Sequence, residues 1–313
     1  MKFKIINMPL IKFLIITVFL MNGSNLYGQR EITEVNRDST FILGFTNNVF
    51  YNINERDLLA ASEVLTKEVI ERMGQNYKSK TKIYSDFKSI KKDIKDGYVD
   101  VLILSADEYF SLREISTLEP KLMADKSAYA DDSIILLVHK DSNIKSLKEL
   151  KSKKLLKLSK GRGNIEQIWM DKELIKNNCE TMNNFFSEVN SKEMASQIII
   201  PVFLKQVEAC LTSRQTFETM SLLNPQLASS LIIIAESEPL MFAVICVNSN
   251  KFIDKRELDL LNNTLDNLEQ YGAGQQLMKL FRINKLIKFQ KEKLISLINL
   301  IEEYEKLSNK SGN

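Results

Sequence analysis

The chain has 313 residues, 27% of them Asp, Glu, Lys or Arg, and a formal net charge of +3. Three lysines and no acid fall within the first 28 residues, so the remainder balances 40 basic residues against 40 acidic ones. A neutral surface releases few counterions, and no basic stripe is interleaved with aromatics, so nothing favours nucleic acid.

Lys2, Lys4 and Lys12, the apolar run of residues 13–21 and the small and polar residues of 22–28 follow the order of a secretory signal peptide. The expected cut follows Gly28, with Ser24 and an uncleaved tether as alternatives. No cysteine near the cut suggests a lipid anchor. FILGF (41–45) reads as a buried strand followed by a loop at Thr46, Asn47 and Asn48. A helix over 56–73 follows from the spacing of Leu58, Leu65, Val69 and Ile70, with Gly74 to end it. TKIYS, a helix through Phe87, Ile90 and Ile94, a turn at Asp96-Gly97 and the strand YVDVLILS complete a strand-helix alternation, the pattern of a parallel sheet. The strand-end loops near Thr46 and Ser105 belong on the edge where open α/β sheets bind ligands.

SIILLVHK is a further strand, and a second α/β set starts with KLLKLS, the Gly-rich loop KGRGN and a helix through Ile165, Trp169 and Leu174. A helix from Ile198 to Gln206, the segment VEACLTS and a helix over 217–223 continue it. SLIIIAES and MFAVICVN are apolar strands that return the chain to the first lobe. Cys179, Cys210 and Cys246 have neither disulfide-framework nor metal-ligand spacing; Cys210 and Cys246, in apolar runs, read as buried free thiols. His139, the lone histidine, reads as a surface or hinge residue, so no catalytic residue, metal or cofactor is expected. From 285 to 307 a helix places Ile287, Leu294, Leu297, Ile301 and Tyr304 on one side, either docked on the first lobe or exposed as a seam for a partner.

The run IKKDIKDGYVDVLILSADEYF resembles the helix, x-G-x-x-D, apolar strand and small-residue loop of the phosphate/phosphite/phosphonate ABC-transporter substrate-binding family. DSNIKSLKELKSKK is similar to that family's passage into its second lobe, and FLKQVEACLTSRQTFETMSLLNPQLASSLIIIAESEPL to its "G-x-x-D-A" segment and the strand beyond. The resemblance covers about 41–282, with Phe217 to Met220 and Asn224-Pro225-Gln226 its most specific part. It implies a type II periplasmic-binding-protein fold, α/β and two-lobed, with a ligand cleft between lobes joined by two crossover strands and an extra C-terminal helix. The expected division is signal peptide 1–28, lobe 1 from 38–136 and 237–283, lobe 2 from 137–236, and a C-terminal helix and tail from 284–313.

Two departures bear on the ligand. Where phosphonate binders of this family carry a Ser/Thr-rich loop, this chain has Ser159, Lys160, Gly161, Arg162, Gly163 and Asn164. Glycines and a helix N-terminus still suit an anion, and Arg162 offers a forked cation; a solvated turn is the alternative. Glu208 stands where the family usually has Asp, the place that suits an ammonium group. Asp107, Tyr129, Ser213 and Arg214 complete the candidate ligand set. The expected function is an exported, monomeric solute-binding protein that takes a small anionic, phosphonate- or phosphate-like solute to an ABC permease and ATPase. A membrane sensor is the alternative partner, and an exported enzyme the remaining one.

Overall fold

A computed structural model describes residues 40–49, 53–125, 132–159 and 164–311. The signal-peptide segment therefore lies outside the described residues. The first lobe opens with β1 (Thr40–Thr46), α1 (Glu55–Arg72), β2 (Lys78–Tyr84), α2 (Phe87–Lys95), β3 (Val101–Ser105), α3 (Ala106–Leu112) and β4 (Leu118–Asp125). β1, β3 and the later β10 are buried along nearly their whole lengths, which is why they read as continuous apolar runs. Gly74 adopts a φ of +66° just beyond α1, and the Gln75 amide bonds the Ile70 carbonyl, so the glycine ends that helix as expected.

The second lobe comprises β5 (Ile134–His139), β6 (Lys154–Leu158), α4 (Ile165–Lys176), α5 (Met182–Phe185), β7 (Glu188–Lys192), α6 (Ser196–Phe203), β8 (Ala209–Ser213), α7 (Arg214–Leu223), α8 (Pro225–Ser230) and β9 (Leu231–Glu236). β10 (Ala243–Asn248), α9 (Lys255–Asp266), α10 (Gly272–Phe281) and β11 (Lys285–Lys288) return to the first, and α11 (Ile295–Ser311) follows. One sheet has the order β11-β4-β10-β3-β1-β2 and the other β7-β6-β8-β5-β9. β1 runs parallel to β2 and β3, while β10 returns antiparallel between β3 and β4. In the second sheet β6 runs parallel to β7 and β8, with β5 antiparallel between β8 and β9.

The chain thus changes sheet between β4 and β5 and again between β9 and β10. β5 belongs to the second sheet from Ile134 onward. The two passages are tied to each other: the Ser237 amide donates to the Ile134 carbonyl at 2.9 Å, and the Ser237 hydroxyl accepts the Ile134 amide at 2.8 Å. Cys210 in β8 and Cys246 in β10 are buried free thiols in different sheets, and burial pushes both thiols up. Among the described residues no helix is long and apolar enough to cross a membrane.

Two expectations need correction. Residues 285–288 are not helical: they form β11, an edge strand antiparallel to β4. The helix that follows packs chiefly on α4 of the second lobe and only to a smaller extent on α3 of the first, and Leu294, Leu297 and Leu300 are buried in one apolar cluster with Trp169 and Leu240. The exit of β11 from the edge of the first sheet aims the chain across the passage between lobes.

His139 is also neither exposed nor at the hinge. It is buried at the far end of β5, where its Nδ1 accepts the Asp141 amide at 3.1 Å. Removal from water, followed by the nearby Lys205 and Lys140 against an opposing Asp141, holds its imidazole below the ordinary value near 6.5. The unfolded chain then binds the proton first, so this residue's contribution to stability is present above about pH 6.5 and falls as pH drops towards the folded value. Urea midpoints at pH 7.5 and 5.5 should show a larger acid loss for the wild type than for His139→Gln; an equal loss would refute this.

Candidate functional site

A cavity of about 380 Å³ lies between the lobes, walled from the first by the ends of β1, β2 and β3 and from the second by the end of β6 and the start of α4. The strand ends supply it for a topological reason: parallel strands deliver their C-terminal loops to one edge. Asn47, Asn48 and Asp107 reach it from the first lobe, and Ser159 and Asn164 from the second. These five expected residues are brought together. Tyr129, Gly161, Arg162 and Gly163 lie outside the described residues; Lys160 and Arg162 come between Ser159 and Asn164 in sequence.

Thr46 and Ser105 end adjacent strands just behind the wall, but their polar groups are committed elsewhere. Glu108, in the first turn of α3, folds its buried carboxylate back on them. Its Oε2 accepts the Thr46 hydroxyl, the Ser105 amide at 3.0 Å and the Ser105 hydroxyl at 2.8 Å, and Oε1 accepts the Asn48 side-chain amide at 2.9 Å.

The remaining expected residues are elsewhere. Glu208 sits at the opposite end of β8 from Ser213, roughly 15 Å along the strand. There its carboxylate accepts the Lys154 amide at 3.2 Å, so the family's acidic position does not fall on this wall. Ser213 is buried and caps α7, accepting the Thr216 amide at 3.2 Å. Arg214 is forked onto Glu236, with Nε 2.6 Å from Oε1. That pair holds the Glu236 carboxyl below its usual range. Their neighbours Gln215 and Thr216 instead line a second cavity of about 180 Å³, together with Asp57 and Arg282 of the first lobe. The Asn224-Pro225-Gln226 motif starts α8, where the Asn224 side chain accepts the Gln226 amide at 3.2 Å; it touches neither cavity.

Sequence reasoning missed Tyr84, Ser85, Asp86 and Phe87 at the end of β2, and Glu108, Lys157 and Glu166. The strand rule that nominated Thr46 and Ser105 applies equally to TKIYS, and Ser105-x-x-Glu108 has the capping-box spacing. Tyr84 donates its hydroxyl to Asp93 at 2.7 Å, and Asp93 also pairs with Lys82. Burial and that carboxylate raise the phenol far above its usual range, so it lines the cavity as a fixed neutral donor already spent on Asp93.

Three helices begin at this cavity, and each carries positive charge at its start from amides without intrahelical partners. α2 is capped by Asp86, whose carboxylate accepts the Ser89 amide at 2.8 Å and is held low by that bond and by the Ser89 hydroxyl. The start of α3 is met by Glu108. At α4, Asn164 makes no side-chain capping bond. Among the described wall residues Asp86, Asp107, Glu108 and Glu166 are acidic and Lys157 is the one cation. Among the described residues no three His, Cys, Asp or Glu side chains gather as metal ligands.

The sequence profile of the family described as ABC transporter, phosphonate, periplasmic substrate-binding protein matches residues 52–294. The chain belongs to that family. It is a solute-binding protein of an ABC importer, and the family is one of periplasmic binding proteins rather than enzymes. Solved structures similar to it include a Xanthomonas citri protein bound to chloride ion, at 17% identity and a TM-score of 0.65 over 87% of this chain and 99% of that one. The binding-protein component of an ABC phosphonate transporter from Pseudomonas aeruginosa aligns at 17% identity and a TM-score of 0.61, covering 86% and 87%. PhnD1 from Prochlorococcus marinus, in complex with methylphosphonate, aligns at 14% identity and a TM-score of 0.60, covering 86% and 99%. At these identities the likeness carries the fold: the two-lobed type II architecture expected from the sequence. No curated protein matches the chain by sequence.

Proposed function

We propose that the cavity between the lobes takes a small anionic solute of the phosphonate or phosphate class, gripped when the lobes close about the two passages between sheets. The start of α4 carries this reading. Of the three helix starts at the cavity, two are met by the carboxylates of Asp86 and Glu108, whereas at α4 Asn164 makes no side-chain capping bond, so the helix dipole and first-turn amides there suit an anion beside Lys157, with Glu166 in the same turn. Lys157 lies on the same side. Residues 1–28 would export the chain, and the protein would work as a monomer that hands its solute to an ABC permease.

Differential scanning of the mature protein against methylphosphonate, phosphate, phosphite, sulfonates, carboxylates and amino acids tests the ligand class, because a ligand of the native state alone raises the melting temperature. A shift with a neutral or cationic solute and none with any anion would overturn it. Arg162, nominated by sequence, gives the second test. Loss of a charge-assisted contact worth roughly 1.5–3 kcal/mol should weaken anion binding about 10- to 150-fold in Arg162→Ala. Arg162→Lys should recover only part, since an ammonium lacks the guanidinium fork. An unaltered dissociation constant for Arg162→Ala would assign that loop to the surface.

A further inference from the structure

We propose that Glu108 is a resident anion that occupies the first lobe's donor set at the wall of the cavity and thereby selects solutes with one anionic head over solutes that carry a second negative group. The inference rests on the reading that the head itself lies at the start of α4. The Thr46 hydroxyl, the Ser105 amide and hydroxyl, and the Asn48 amide group converge from two strand ends and the turn after β1. Four donors aimed at one point form a site for a carboxylate or phosphoryl oxygen pair. In this chain the protein's own carboxylate sits there, three residues along the chain from Ser105 and only 5% exposed.

Two consequences follow for specificity. At this point the described donors of the first lobe, those of Thr46, Asn48 and Ser105, are spent on Glu108 and do not neutralise a second anionic group. Such a group would also face Glu108 and its neighbour Asp107, while Lys157 is the one described cation. Like charges brought together in a cavity partly removed from water repel more strongly than in bulk solvent. A neutral or hydrogen-bond-donating end meets acceptors instead. Specificity here comes from a repulsive element built into the wall as much as from the attractive one opposite.

Calorimetric titration with methylphosphonate and with phosphonoacetate, which adds a carboxylate, reads this directly. The wild type should bind phosphonoacetate at least 10-fold more weakly, and equal affinity would overturn the proposal. Glu108→Ala should vacate the donor set, so that millimolar formate raises its melting temperature while leaving the wild type unmoved, and the preference for methylphosphonate should shrink or reverse. Glu108→Gln keeps the size and removes the charge; it should narrow the same preference and serves if the alanine variant fails to fold. A folded variant that ignores formate and keeps the wild-type preference would sink the idea. If the wild type binds no phosphonate at all, the proposed ligand class fails, and uptake of formate by Glu108→Ala still decides the role of Glu108.

Discussion

Replacing Trp169 with alanine should destabilise the protein by about 3–5 kcal/mol, the usual cost of deleting a fully buried large aromatic. Trp169 is 1% exposed, on the face of α4 that also buries Ile165, Met170 and Leu174, and it shares an apolar cluster with Leu240 of the second passage and Leu297 and Leu300 of α11. The ion pairs that accompany this packing are secondary. Lys176 reaches Glu303 at 2.9 Å, but both side chains are nearly half exposed, and such pairs contribute about 0–1 kcal/mol. Glu303→Gln should therefore change little where Trp169→Ala changes much. Urea unfolding followed by circular dichroism measures both. Since Trp169 is the sole tryptophan, a chain ending at Phe289 should also show red-shifted emission. A loss below 1 kcal/mol for Trp169→Ala, with unshifted emission in the truncated chain, would mean that α11 is not seated on α4 in solution.

How far the sequence carried the fold depended on burial. β1, β3, β5 and β10 are enclosed by neighbours on both faces, so their apolar runs announce them. β7, with the sequence EVNSK and no fully buried residue, and β11 are edge strands defined by their partner, and a strand of that kind leaves no periodic signal. Residues 285–288 fit helical spacing well enough to be absorbed into α11, because Ile287 and Leu294 are seven apart. The apolar stripe of α11 was legible. Its partner was not, since that depends on where β11 leaves the sheet.

The site shows the same division. Strand ends were readable from topology, and Asn47, Asn48 and Asp107 came with them. Direction of use was not. Thr46 and Ser105 have the right chemistry at the right place, yet their donors face inward to Glu108, and only the capping-box spacing hinted at it. Glu208 was carried by family analogy alone, and the register of β8 against β6 puts it at the wrong end of the strand.

The x-G-x-x-D motif at Gly97 and Asp100 is structural, and Asp100→Ala should cost roughly 2–5 kcal/mol. Gly97 takes a φ of +64°, which a side chain would oppose, and lets the chain turn sharply out of α2. Asp100 then precedes β3 and extends the parallel ladder with its side chain: Oδ2 accepts the Ile42 amide at 2.8 Å, while its own amide donates to the Ile42 carbonyl at 3.0 Å. On the other flank its carbonyl accepts the Asn248 amide at 2.9 Å, and the Asn248 side chain donates to the Ile94 and Val99 carbonyls. Removing the carboxylate strands a buried amide in β1, four residues before Thr46. A charged acceptor is lost, worth about 1.5–3 kcal/mol, and an unsatisfied donor adds to that cost. Asp100→Asn keeps an acceptor of similar reach and should recover part of the loss. Urea unfolding ranks the three proteins, and hydrogen exchange at Ile42 locates the defect. If Asp100→Ala lost less than 1 kcal/mol and left that amide protected, the motif would have to serve something other than the joint between β1 and β3.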